Sequence, residues 1–238
     1  MITNFTITGA DDSIKPTELI ELSKKYPFVE WGILVSKKQM GGNRFPTMLW
    51  MKELYNIKQE NPNIKLSCHL CGMYVRELSV GNDIAIQELS DIWNMFERIQ
   101  INFHSIPTEN KPEMIKLLLK YPEKEFIFQY DNVNTDILYS ANDAGVKCSA
   151  LFDLSGGLGL LPAFWPEPLD GIKCGYAGGL SPDNLENQIK LIEEKVKDLK
   201  IWIDIETHVR SWDDILFELD KVETCLKIVD KHIKNETN

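Results

Sequence analysis

Apolar and polar residues alternate one by one in eight short stretches of this chain. Side chains of a strand point to opposite faces in turn, so this period of two predicts strands over 4–8, 28–36, 65–71, 98–104, 125–130, 149–153, 172–177 and 201–206. Between them, apolar residues recur at helical spacing over 15–26, 47–59, 84–96, 109–121, 134–143, 182–199 and 213–234. The sixth connection has no such helix: residues 160–169 hold three prolines and predict a short turn. Strict alternation with short connections implies parallel strands joined by right-handed crossovers, and eight such units imply closure. The expected fold is one (β/α)8 TIM barrel over 1–238, with the tail from 234 frayed.

The polar faces of these strands are unusual. Trp202, Asp204 and Glu206 share a face opposite Ile201, Ile203 and Ile205. Thr6 and Thr8 oppose Phe5 and Ile7, and Ser67, His69 and Cys71 oppose Leu66, Cys68 and Leu70. Gln100, Asn102 and His104 oppose Ile99, Ile101 and Phe103; Gln129 lies between Phe128 and Tyr130, and Asp153 follows Phe152. The outside of a barrel packs on helices and has to be apolar, so the polar set faces inward. Near strand C-termini it points into the mouth where barrel enzymes keep their chemistry. The alternative is a set of buried polar groups that satisfy one another around water. Burying Asp153, Asp204 and Glu206 unpaired would cost several kcal/mol each, which favours a ligand-binding mouth.

Composition narrows the choice of partner. A net charge of −10 argues against nucleic acid or anionic membrane and leaves a small-molecule substrate as the expected partner. Five cysteines, an odd number set mostly in or beside predicted strands, predict reduced buried thiols. No secretory leader and no apolar run of membrane-spanning length is read from the sequence. Together these predict a cytoplasmic protein, a monomer or a homodimer.

Glycines mark the late part of the chain. Gly156, Gly157 and Gly159 follow the sixth strand, and Gly178-Gly179 follow the seventh, just before Ser181-Pro182 open a helix. Glycines between a strand and a helix leave backbone N–H groups that can meet an anion. At these residues the chain resembles phosphoribosylanthranilate isomerase. Ile7-Thr8-Gly9 is similar to that family's Ile-Cys-Gly, and Gly32 with Arg44 to its Gly…Ser-Pro-Arg. Ile99-Gln100-Ile101 is similar to its Val-Gln-Leu, and Asp153 with Gly156-Gly157-Leu158-Gly159 to its Asp…Gly-Gly-Thr-Gly. The most specific match is Ala177-Gly178-Gly179-Leu180-Ser181-Pro182-Asp183-Asn184, against Ala-Gly-Gly-Leu-x-Pro-Glu-Asn. Asp204-Ile205 stands where the family has Asp-Val.

The resemblance implies an Amadori-type isomerisation without a cofactor, with Asp153 as general acid and Gly178 and Gly179 binding phosphate. It also implies a base on the first strand, where this chain has Thr8 in place of cysteine. Asn102 stands where the family has histidine, and Glu206-Thr207-His208 where it has Ser-Ser-Gly. A carboxylate in that place repels a phosphate.

The residues themselves suggest acid/base chemistry. Asp153, Asp204, Glu206 and His69 converge, and carboxylates that share a mouth push one another's pKa apart. Asp153 as acid with Glu206 or His69 as base would isomerise or epimerise a small polar, sugar-derived substrate, phosphorylated or not. Arg44, Gln100, Asn102, Gln129, Asp204, Gly156 and Gly157 are the expected substrate contacts. Arg44 would grip an anion or be a solvated loop charge; Lys37, Arg76 and Arg210 are other candidates to neutralise the carboxylates. Two alternatives stay open: a non-catalytic binding barrel that has lost its base, and a metal-dependent sugar isomerase or hydrolase. No tight ligand spacing supports a metal, since Cys68 and Cys71 point to opposite faces. Asp11 and Asp12 either cap the first helix or reach the mouth, and Trp165 either covers a ligand or plugs the gap of the missing helix.

Overall fold

The computed structural model describes residues 1–103, 110–130, 134–153 and 159–233. Its strands are β1 (Ile2–Thr8), β2 (Val29–Ser36), β3 (Lys65–Cys71), β4 (Arg98–Ile101), β5 (Glu125–Tyr130), β6 (Cys148–Asp153), β7 (Lys173–Ala177) and β8 (Ile201–Ile205). They pair in sequence order, all parallel, and β1 pairs β8 to close the barrel. Helices α1 (Pro16–Lys25), α2 (Met48–Glu60), α3 (Met73–Ser79), α4 (Ile84–Glu88), α5 (Ser90–Trp93), α6 (Lys111–Leu118), α7 (Thr135–Asp143), α8 (Leu185–Val196) and α9 (Leu219–Asp230) surround it.

The outer layer follows from the apolar periodicity. In α8, Leu185, Ile189, Ile192 and Val196 are buried, a spacing of four, three and four that makes one stripe. The outward residues of the strands meet such stripes, as Ile203 and Ile205 do in the main core. Thr47 caps α2 by accepting from the Trp50 amide at 3.2 Å.

The inside is layered. At the N-terminal end, Arg98 donates to Glu30 at 2.9 Å and to Glu125 at 3.0 Å. Its guanidinium lies 4.1 Å from the ring centroid of Trp202, which with Ile127 and Leu151 forms a small apolar plug. Gly175 makes room for that indole: a Cβ there would lie 2.1 Å from Trp202 Cε2. Above the plug, polar side chains face the C-terminal mouth.

Three predicted elements differ. The helix predicted over 84–96 is two short pieces, α4 and α5, and α3 precedes it, turned out of β3 at Gly72 with φ +62°. The fourth strand ends at Ile101; Asn102 still donates to Leu70 O at 3.1 Å, and His104 lies outside the described residues. The last helix begins at Leu219 instead of Asp213, because Asp214 takes φ +60° and its carboxylate is held by two arginines. Residues 159–172 hold no helix, as the prolines predicted. Trp165 plugs that gap: it is buried, donates to Gln188 Oε1 at 2.9 Å and packs edge-on against Tyr176. Among the described residues no helix is long and apolar enough to cross a membrane.

Candidate active site at the C-terminal mouth

A cavity of about 60 Å³ opens at the C-terminal ends of the strands. His69, Gln100, Asp153, Asp204, Glu206 and His208 line it, with Gly178 and Gly179 on one wall. Strand alternation delivers them: Asp204 and Glu206 leave β8 and its end on the same side, and Asp153 closes β6. A volume of this size holds several waters or the polar head of a small ligand.

Asp204 is buried, 5% exposed. Burial raises its pKa well above the ordinary aspartate value, the charges of Glu206 and Glu30 add to that, and a hydrogen bond from Thr8 works against it. Thr8 Oγ1 donates to Asp204 Oδ1 at 2.9 Å. Thr8 is fully buried and supports Asp204 from behind, outside the cavity wall. His69 Nε2 lies 4.0 Å from Asp204 Oδ2 and 3.1 Å from Ser67 Oγ. Burial, helped by the charge of Arg98, pushes His69 down to about 3, so the imidazole is neutral. Gly32 allows this crowding, since a Cβ there would lie 2.2 Å from Thr8 Oγ1 and 2.8 Å from His69 Cε1.

Glu206 is a third exposed and meets Arg44 Nη1 at 2.5 Å. Burial raises its pKa; the Arg44 charge and hydrogen bond pull it back, and Asp153 and Asp214 push it up again. Arg44 also binds Asp214 at 2.8 Å and adopts φ +62° in its loop. Asp11 accepts from the Arg44 amide at 2.7 Å and from Arg210 Nη2 at 2.8 Å. Asp12 accepts from the amide and hydroxyl of Thr47. Asp11 and Asp12 therefore organise the Arg44 loop and the start of α2. Lys37 pairs with Glu88, away from the mouth carboxylates. Arg210, fully buried, bonds Asp11, Asp214 and the Gly9 carbonyl.

The other expected contacts form two separate hydrogen-bond runs, in which Asp153 and Gln100 line the cavity while Gln129 and Asn102 stand behind them. Gln129 Nε2 donates to Asp153 Oδ2 at 3.2 Å. Gln100 Nε2 donates to Asn102 Oδ1 at 2.9 Å, and Asn102 Nδ2 to Cys71 Sγ at 3.3 Å. That leaves Gln100 Oε1 buried without a partner. Burial pushes the Cys71 thiol up to about 11, which keeps it protonated and a poor nucleophile at neutral pH. Gly156 and Gly157 lie outside the described residues. Thr207 and His208 were not among the expected site residues; they line the cavity from the short 3-10 turn Thr207–Val209. Their place directly after an inward carboxylate was the available signal. Among the described residues no group of three or more His, Cys, Asp or Glu side chains is arranged to hold a metal ion.

No protein-family model matches this chain, and none of the curated proteins matches it. Solved structures do match in shape. Phosphoribosyl anthranilate isomerase from Thermococcus kodakaraensis superposes with a TM-score of 0.53 at 13% identity, covering 95% of this chain and 98% of that one. 3-Hexulose-6-phosphate synthase from Salmonella typhimurium gives 0.51 at 9% identity, over 97% and 100%. Phospho-2-dehydro-3-deoxyheptonate aldolase from Thermotoga maritima gives 0.53 at 13%, over 97% and 69%. At such identities the likeness is one of fold. The chain is a closed (β/α)8 barrel whose architecture is shared with several sugar-phosphate isomerases and synthases, and not with phosphoribosylanthranilate isomerase in particular.

Proposed function

We propose that this protein is an acid/base enzyme that isomerises or epimerises a small, polar, sugar-derived carbonyl compound. The observation that supports this best is the pairing of two unlike carboxyl groups in one cavity. Burial raises the pKa of both, Asp204 well above the ordinary aspartate value, whereas at Glu206 the charge and hydrogen bond of Arg44 oppose the rise and favour the carboxylate. Environments that push two carboxyls apart create an acid and a base from the same chemistry.

Glu206 takes the proton from the carbon next to the carbonyl. Asp204 gives its proton to the carbonyl oxygen, which yields an enediol and leaves Asp204 ionised and Glu206 protonated. For isomerisation, Glu206 returns its proton to the former carbonyl carbon and the hydroxyl of the neighbouring carbon gives its proton to Asp204. For epimerisation, a solvent proton reaches the opposite face of the first carbon, the carbonyl oxygen returns its proton to Asp204, and Glu206 releases its own to solvent. Asp153, oriented by Gln129, accepts from a substrate hydroxyl or serves as a second donor. The neutral His69 props Asp204.

One observation favours a binding barrel without turnover: the ion pair with Arg44 weakens Glu206 as a base. Solvent-deuterium exchange separates the two readings. The wild-type protein should exchange the α-hydrogen of its sugar in D₂O, and Glu206→Gln and Asp204→Asn should each slow exchange at least ~100-fold. A wild-type protein that binds a sugar but never exchanges its hydrogen is the binder.

A further inference from the structure

The cavity wall shows a bias in hydrogen-bond chemistry. Among the described residues its side chains offer as acceptors Gln100 Oε1 and the carboxylates of Asp153 and Glu206, beside His69, Thr207 and His208. The Gln100 oxygen is buried and unpartnered, and its orientation is set, because Nε2 is spent on Asn102 and Asn102 in turn on Cys71. An unpaired buried acceptor is costly, and a ligand hydroxyl relieves it. Among the described residues the cavity is lined by no lysine or arginine. The two arginines nearby are committed: Arg44 to Glu206 and Asp214, Arg210 to Asp11, Asp214 and the Gly9 carbonyl.

The glycine pair that could cradle an anion is itself crowded. A Cβ on Gly179 would lie 2.2 Å from the Leu161 nitrogen and 2.6 Å from the Leu160 carbonyl carbon, so the chain after β6 packs directly against it. A phosphate dianion placed here would face Glu206 and Asp153 and, among the described residues, no lysine or arginine of the lining.

We infer that the mouth takes an unphosphorylated polyhydroxylated ligand, a free aldose or ketose, whose hydroxyl groups donate to Gln100 Oε1 and to the Asp153 and Glu206 carboxylates. This deepens the acid/base reading above and names the substrate class of the same site. Gln100 is the specificity determinant: it reads a donor hydroxyl and gives a phosphate oxygen nothing to accept from.

The test is calorimetric titration of the full chain with D-ribose, D-xylose, D-glucose and D-fructose, each beside its terminal phosphate ester, and with inorganic phosphate alone. At least one free sugar should bind, and its phosphate ester should bind at least tenfold more weakly. Gln100→Met should weaken the sugar at least tenfold, and Gln100→Glu, which keeps an acceptor in place, should retain it. A phosphate ester that binds better than its sugar overturns the proposal. So do displacement of the sugar by inorganic phosphate, undiminished binding to a folded Gln100→Met protein, and failure of every free sugar to bind at tens of millimolar. The acid/base reading fails separately: a free sugar that binds without deuterium exchange sinks the chemistry and leaves the ligand class standing. Exchange confined to a phosphate ester does the reverse.

Discussion

Gly32→Ala should disturb the site without touching any of its charged groups. The added Cβ would lie 2.2 Å from Thr8 Oγ1, 2.8 Å from His69 Cε1 and 2.9 Å from His69 Nε2. Both side chains are fully or almost fully buried, so neither can swing into solvent. Overpacking of this kind costs about 1–3 kcal/mol. Displacing Thr8 also breaks its hydrogen bond to Asp204, worth about 1 kcal/mol. The sum is ~2–4 kcal/mol, or roughly 5–15 °C in Tm for a domain of this size. Urea and thermal unfolding of wild type, Gly32→Ala, Thr8→Ala and the double variant measure it. Removing the Thr8 hydroxyl makes space, so the double variant should be more stable than the sum of the single losses predicts, by about 1 kcal/mol or more. Two results would refute the reasoning: a Gly32→Ala protein that melts with the wild type, or strict additivity in the double variant.

Three more predictions follow from charge and burial. Because folded Asp204 keeps a proton that the unfolded chain releases, its contribution to stability is complete below the ordinary aspartate pKa and is lost as pH rises through the raised value. Asp204→Asn should therefore gain stability relative to wild type as pH rises, measured by urea midpoints across a pH series, while losing exchange activity. His69 has the opposite sign: its pKa falls from 6.5 to about 3, so stability present above 6.5 is lost as pH drops toward 3, by up to about 5 kcal/mol. His69→Gln should flatten that acid limb of the curve. Arg44→Met should cost about 1–3 kcal/mol by leaving Glu206 unpaired and Asp214 to Arg210 alone, and adding Glu206→Gln should restore part of the loss in a double-mutant cycle.

The barrel was legible because its two periodicities are local: residue i and its neighbours decide which face of a strand or helix is apolar. The inward polar set was legible for the same reason, and Asp153, Asp204, Glu206, His69 and Gln100 do share one cavity. What joins distant parts of the chain was not legible. Arg44 meets Glu206 and Asp214 across more than 160 residues, and only the closed barrel brings them together. The same holds for Gly32 and Gly175, whose importance lies in the side chains of neighbouring strands. The early end predicted for the loop before the last helix failed because helical spacing in 213–218 competes with a carboxylate held by Arg44 and Arg210. A local pattern carries no trace of that competition.

The proposed chemistry requires Asp204 and Glu206 to hold different protonation states in one cavity. It can be tested without knowing the substrate, by ¹³C NMR titration of side-chain carboxyls in wild type and in Asp204→Asn. One aspartyl resonance should titrate far above the others and disappear in Asp204→Asn, while Glu206 ionises before it and is a carboxylate where Asp204 still holds its proton. If Asp204 ionises with the ordinary aspartates, the cavity holds no internal acid and the proposed chemistry is wrong.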